Sequence, residues 1–337
     1  MKAETRKVLP REAPPARVWT SLDLLKWTTG YFQKNGVASP RLEAELLLAE
    51  VLDCPRIRLY ADFEKPVPAE KLARYREYVQ RRGEAREPLQ YILGHAQFVD
   101  LHLKVTPGVL IPRPETEILA LWAVARAKGE GVAPASVPAG TPALPPAGTP
   151  ALRGVRVLDL CTGSGCLALF IASKVAHAEV IATDIAAVAL AVAQENARAL
   201  GLAERVAFRQ GDLFAALRPE EQASFDVVVA NPPYVDPGCA GTLAPEVREH
   251  EPREALFAAE GGFAVVRRIL ENVGAWLRPG GWLGLELGLG QAEESARAAR
   301  AAGVFRSVAI GADGARLPRY LHAQRDLTCA GVPGTCS

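Results

Sequence analysis

The sequence predicts an α/β molecule, with a mostly parallel sheet layered with helices and preceded by a small helical bundle. Three observations carry that expectation. From Arg156 onward, five apolar strand-like runs alternate with helical patterns, the arrangement that builds parallel sheets. Residues 1–95 carry helix-start signals and helical periodicity instead. Between these parts, residues 129–153 shift abruptly to Pro, Ala, Gly and Thr, a composition that buries too little apolar surface to offset the entropy of ordering it.

In chain order, Thr20 followed by Asp23 reads as a capping box, and Ser39 followed by Pro40 as an N-cap with proline at the first helical position. Leu42, Leu46 and Ala49 then fall at i, i+4 and i+7 and predict the buried stripe of a helix. Leu72, Tyr75 and Val79 repeat the pattern until Gly83, read as a helix stop. From Val99 to Val105 apolar residues alternate with Asp100, His102 and Lys104, which predicts one half-buried strand. Within the insert, Pro138 to Leu144 (PAGTPAL) recurs verbatim as Pro146 to Leu152, a flexible connector. Later strands are expected at Arg156 to Leu160, Val180 to Thr183, Val206 to Arg209, Phe225 to Ala230 and Trp282 to Leu287. The resulting division is 1–95 helical, 96–128 a strand-and-helix connector, 129–153 the insert, 154–326 the α/β domain and 327–337 a tail.

A chain of 337 residues, 49% of them apolar, exceeds a usual single domain of roughly 100 to 200 residues. Its formal net charge of +1 supplies no global basic field, so nucleic acid is not expected as a direct partner. Residues 1–95 hold 17 Lys and Arg against 13 Asp and Glu, an excess that a solvated helical face explains. Cys54, Cys161, Cys166, Cys239, Cys329 and Cys336 are scattered without a CxxC pair, as in cytoplasmic proteins. No run approaches the roughly 18 apolar residues that span a bilayer. A soluble cytoplasmic protein is therefore expected, with no metal, because no cluster has metal-ligand spacing. His95 and His102 receive no role.

The first α/β strand leads into Asp159-Leu-Cys161-Thr162-Gly163-Ser164-Gly165, whose small residues let the backbone approach a ligand beyond the strand ends. Asp184, 19 residues past Gly165 and at the end of the next strand, is placed to accept hydrogen bonds from ribose hydroxyls. After the third strand come Gly211-Asp212-Leu213-Phe214, with Asp212 available to an adenine amino group and Leu213 to cover its ring. Gly163-x-Gly165-x-x-Ala168 also fits a dinucleotide fingerprint, and the loop alone is equally a tight turn beside a surface carboxylate.

The fourth strand, Phe225 to Ala230, stops at Asn231-Pro232-Pro233-Tyr234. Two prolines remove two backbone donors, keep their carbonyl acceptors and fix φ, giving a rigid, acceptor-rich wall. The Asn231 side-chain oxygen and the Pro232 carbonyl suit the two hydrogens of a planar amide or aryl amine, with Tyr234 stacked on its plane. A strand-terminating turn is the bland alternative.

These four segments together resemble the class I amino-methyltransferases, which implies a Rossmann-like domain and S-adenosylmethionine as cofactor. Pro88-Leu-Gln-Tyr-Ile-Leu-Gly94, Phe98 and Leu110-Ile-Pro-Arg-Pro-Glu-Thr-Glu117 more specifically resemble the release factor glutamine N5-methyltransferases (the PrmC/HemK family). That resemblance spans nearly the whole chain. It implies methylation of the glutamine in the Gly-Gly-Gln loop of class 1 release factors, with the N-terminal bundle helping to hold that partner. Carried over by position, it puts cofactor contacts at Cys161, Thr162, Gly163, Ser164, Gly165, Asp184, Leu213 and Asn231. It puts the catalytic substrate clamp at Asn231, Pro232, Pro233 and Tyr234. Two positions depart from the commonest pattern: Cys161 stands where glycine is frequent, and Gln97 where an acid usually precedes Phe98. The same clamp would serve a ribosomal-protein glutamine, or the aryl amines of DNA adenine (N6) and RNA guanine (N2). The Leu110 to Glu117 stretch favours the release factor enzymes.

Overall fold

The computed structural model describes residues 18–130 and 154–328. Both copies of PAGTPAL, Cys329 and Cys336 lie outside the described residues. The chain divides into two compact units between Ile92 and Leu93.

The first unit contains α1 (Ser21–Lys34), α2 (Pro40–Leu52), α3 (Arg58–Ala61) and α4 (Ala69–Gly83), with α5 (Leu89–Leu93) at the divide. The capping box of α1 forms: the Asp23 N–H donates to Thr20 Oγ1 at 3.2 Å, and the Thr20 N–H to Asp23 Oδ2 at 3.4 Å. Ser39 does occupy the N-cap of α2 with Pro40 after it, but its side chain makes no cap bond. Of the expected stripe on α2, only Ala49 is buried and Leu46 is half-buried. Leu42 is exposed, and Ala44, Leu47, Leu48 and Val51 are buried. Leu46, Leu47, Leu48 and Ala49 are apolar nearly all round the helix, so packing against α1 and α4 selects the buried face and periodicity does not. Gly83 is also reassigned. It is the last residue of α4, not a left-handed stop, and a Cβ there would run into the Tyr31 ring. Its lack of a side chain serves helix packing.

The second unit opens on a two-stranded antiparallel hairpin, β1 (His95–Phe98) and β2 (Leu101–Lys104), where alternation predicts one strand. The turn falls at Val99, whose φ of 52° is left-handed, and its N–H donates to Glu117 Oε1 at 2.8 Å. A β-branched residue rarely adopts that conformation, which is why the expected strand begins at the turn instead of after it; β2 falls within the expected strand, and β1 precedes it. α6 (Pro114–Ala127) follows. Then come β3 (Val155–Leu160), α7 (Cys166–Lys174), β4 (Ala178–Asp184), α8 (Ala187–Ala199), β5 (Val206–Gln210) and β6 (Phe225–Ala230). The short helices α9 (Pro245–His250) and α10 (Arg253–Leu256) precede α11 (Ala264–Asn272), β7 (Leu277–Glu286), α12 (Ala292–Ala301), β8 (Phe305–Ala312) and β9 (Pro318–Arg325).

The sheet order is β5-β4-β3-β6-β7-β9-β8. Strands β3 to β7 pair in parallel, as expected, while β9 lies antiparallel between β7 and β8, a C-terminal pair beyond the sequence expectation. Side chains on the central strands alternate between two cores. Val157, Val227 and Val229 join one core with α6 and α7, and Leu158, Leu160, Val228 and Ala230 join the other with α11 and α12. Fully burying such a side chain contributes about 1.5–3 kcal/mol, so both faces anchor β3 and β6. Chain order reverses direction between these two strands, and the crevice beyond their carboxyl ends is where an open α/β sheet binds ligands.

Candidate active site

The β3–α7 turn is built by backbone conformation. Cys161, Gly163 and Gly165 all have positive φ, at 57°, 56° and 85°. The position of Cys161, where related loops commonly carry glycine, is thus a left-handed one that a side chain tolerates at some cost. Below the turn lies Asp159, fully buried, which accepts from Thr162 Oγ1 at 2.6 Å and from the Ala168 N–H at 3.1 Å. Burial pushes its carboxyl up to about 7, against the pull of those two donors and with a push from Asp184. Asp184, at the end of β4, accepts the Gly163 N–H at Oδ2 and the Ala186 N–H at Oδ1, both at 2.9 Å. One carboxylate therefore ties two loops together. Each of its oxygens keeps a second lone pair for a ligand.

On the far side of β3 from β4, Asn231 directly follows β6. Its amide donates from Nδ2 to Thr116 Oγ1 at 3.0 Å, and the Thr116 hydroxyl donates to Glu286 Oε2 at 2.7 Å. The Tyr234 hydroxyl donates to the other oxygen, Glu286 Oε1, at 3.1 Å. Thr116 comes from α6 and Glu286 from the end of β7, and both are essentially solvent-free. Burial raises the Glu286 carboxyl above its ordinary range, while the Thr116 bond, the Arg319 charge and the Tyr234 bond oppose that rise. The Arg319 guanidinium lies over the Tyr234 ring, 5.7 Å from its centroid, and Gln291 Nε2 donates to the Tyr234 carbonyl at 3.1 Å. A second buried carboxylate, Glu251, accepts from Arg113 at 2.6 Å.

One cavity of about 310 Å³ joins these parts. Its wall includes Cys161, Thr162, Gly163, Ser164, Asp184, Leu213, Asn231 and Pro233 of the residues predicted from sequence. Gly165 instead caps α7, packed by Leu169 and Ala193, while Pro232 is buried and Tyr234 faces Glu286, so these three do not line it. Asp212 lines the cavity, but its Oδ2 accepts from Arg268 Nη2 at 2.7 Å. Thr116, Arg113, Pro252 and Phe257 also line it.

A nucleoside-bearing cofactor fits this wall. A Cβ at Gly163 would meet nothing within 4 Å, which leaves ligand space directly over the turn. The buried Thr183 hydroxyl, also on the wall, has no hydrogen-bond partner among the described residues. The volume falls in the range of small-molecule sites, roughly 300–1,000 Å³. Among the described residues no group of His, Cys, Asp and Glu could hold a metal ion.

The PrmC N-terminal domain model matches residues 23–94, and the methyltransferase small domain model matches residues 139–247. A release factor glutamine methyltransferase of Geobacter sulfurreducens is 41% identical over 82% of this chain and 87% of its own. The chain belongs to the release factor glutamine methyltransferase family. Another member, from Rhodopirellula baltica, is 37% identical over 91% of this chain and 97% of its own. Among solved structures, a release-factor-specific protein-(glutamine-N5) methyltransferase from Alicyclobacillus acidocaldarius is 25% identical over 64% of this chain and 94% of that one, with a TM-score of 0.36. The larger unit is accordingly the Rossmann-like, mostly parallel methyltransferase domain of this family. No helix among the described residues is long and apolar enough to cross a membrane.

Thr116, Glu286 and Glu251 are invisible to local sequence reading. Only the resemblance of Leu110 to Glu117 to the family's own motif touches any of them, through Thr116.

Proposed function

We propose that the protein transfers a methyl group from S-adenosylmethionine to the side-chain amide nitrogen (N5) of the glutamine in the Gly-Gly-Gln motif of class 1 peptide chain release factors, in the cytoplasm. One observation carries the reading. In a chain of this family, a single cavity has Asn231 at one end and the Asp184-anchored glycine turn at the other. S-adenosylmethionine, when bound, supplies an electrophilic methyl group. The backbone of Cys161 to Ser164 and the Asp184 carboxylate bind its nucleoside portion, and Leu213 covers the base.

A glutamine amide nitrogen is a poor nucleophile because its lone pair is conjugated, so holding it in place matters more than a strong base. Effective molarities of roughly 10⁵–10⁸ M are available from orientation alone. Asn231 Oδ1 and the backbone carbonyl of Pro232, whose ring is buried and does not line the cavity, take the two amide hydrogens and fix the nitrogen, with Pro233 and Tyr234 keeping the loop rigid. As the new N–C bond forms and the methyl–sulfur bond breaks, with its electron pair left on sulfur as a neutral thioether, positive charge develops on that nitrogen. The same acceptors stabilise it, after which the acidified proton passes to solvent water.

The test incubates the purified full chain with labelled S-adenosylmethionine and, separately, an intact release factor, its Gly-Gly-Ala variant, a ribosomal protein mixture and DNA. Label on the release factor and not on the variant is expected. Label confined to ribosomal protein or DNA would overturn the substrate while keeping the methyltransferase.

A further inference from the structure

The Asn231 amide can be useful to a substrate NH2 only if its oxygen, not its own NH2, faces the cavity. An amide is nearly symmetric in shape, so something must choose between the two orientations. A carboxylate only accepts hydrogen bonds, so Glu286 commits the Thr116 proton to itself at 2.7 Å, and Thr116 Oγ1 can then only accept from residue 231. The chain of donors runs one way: Asn231 NH2 to Thr116 hydroxyl to Glu286, with the Tyr234 hydroxyl donating to the same carboxylate from the other side.

We infer that Glu286 and Thr116 are positioning residues that set the polarity of the substrate clamp. Neither need touch substrate. Glu286 is fully buried and Thr116 is 1% exposed, and the three partners come from α6, the β6 loop and the end of β7, so no local turn would produce the arrangement. The inference rests on the function proposed above and adds the reason that Asn231 presents an acceptor. It also makes a prediction that a packing role does not: the chain of donors should work if reversed as a whole. With Asn231→Asp alone, the side chain at position 231 cannot donate and meets a Thr116 oxygen whose proton is already given away. With Glu286→Gln added, the new amide at position 286 can donate to Thr116, and the Thr116 proton turns to the carboxylate at position 231. The second oxygen of that carboxylate still faces the cavity as an acceptor.

The experiment measures kcat and KM for a release factor, and Kd for S-adenosylmethionine, on the full chain and its variants. Thr116→Val, which keeps the side chain's shape, is expected to lower kcat/KM about 10- to 100-fold, the usual cost of losing a residue that orients a functional side chain. Cofactor Kd should stay within about threefold, and Thr116→Ser should recover most of the rate, because only the hydroxyl acts. The Asn231→Asp, Glu286→Gln double variant should be at least about tenfold faster than Asn231→Asp alone, a non-additivity expected of residues in one hydrogen-bond network. Wild-type-like turnover by Thr116→Val, equal loss of cofactor affinity, or no recovery in the double variant would each overturn the inference. Failure of the unmodified chain to methylate the release factor would instead overturn the proposed function.

Discussion

The two ends of the cavity are made in different ways. At the cofactor end, backbone does the shaping: three residues of the β3–α7 turn have positive φ, and backbone N–H groups of Gly163 and Ala186 fasten to one carboxylate 21 and 2 residues away. At the amide end, the side chain that follows β6, Asn231, is oriented by a partner 115 residues away and, through it, by a carboxylate 170 residues from that partner. Backbone-built recognition demands particular residue types at short spacing. Recognition by supported side chains demands only that the fold bring suitable groups together. The first end should therefore govern how tightly ligand is held, and the second how well the reacting group is aimed.

The largest expected effect breaks the amide end alone. Asn231→Ala should lower kcat by about 10²- to 10³-fold, as when one preorganised hydrogen-bonding group is lost from an active site, with little change in Tm and a much smaller weakening of cofactor Kd. A comparable loss of cofactor affinity would mean the two ends are not separable. Next, Asp184→Asn replaces an acceptor-only group whose oxygens both receive backbone N–H groups. Hydrogen bonds to charged groups contribute about 1.5–3 kcal/mol, so isothermal titration should give a cofactor Kd roughly 10- to 100-fold weaker while the rate at saturating cofactor changes little.

A third prediction concerns pH at the cofactor end. Burial pushes the Asp159 carboxyl from an ordinary 3.8 up to about 7 in the folded chain. Between those values the folded chain holds a proton that the unfolded chain has released. This group's contribution to stability therefore falls as pH rises toward 7 and levels off above it. In Asp159→Asn the difference in Tm between about pH 6 and about pH 8, on either side of that titration, should shrink, and an undiminished difference would contradict the assignment. The smallest effect is at Cys161. A left-handed residue costs roughly 1–2 kcal/mol and glycine gives part of that back as unfolded-chain entropy, so Cys161→Gly should stabilise by about 0.5 kcal/mol, read from denaturant midpoints.

The same contrast explains what can be read from sequence. The parallel strands, the glycine turn and Asp184 are legible because burial on both sheet faces and tight turns leave local signatures. Val99 hides the β1–β2 turn because a β-branched residue is held left-handed there by a partner, Glu117, on another element. The buried face of α2 is ambiguous because Leu46 to Ala49 are apolar on every side. Glu286 carries no local mark at all, and Thr116 only its place in the Leu110 to Glu117 motif. Asn231 can be picked out by its neighbouring prolines, yet the orientation of its amide is decided elsewhere in the chain.

The most direct measurement of the central claim is the position of the methyl group after a single turnover on an intact release factor, read by tandem mass spectrometry. One methyl on the side-chain amide nitrogen of the Gly-Gly-Gln glutamine is the predicted product. A methyl on any other atom of the release factor would contradict the amide clamp built on Asn231.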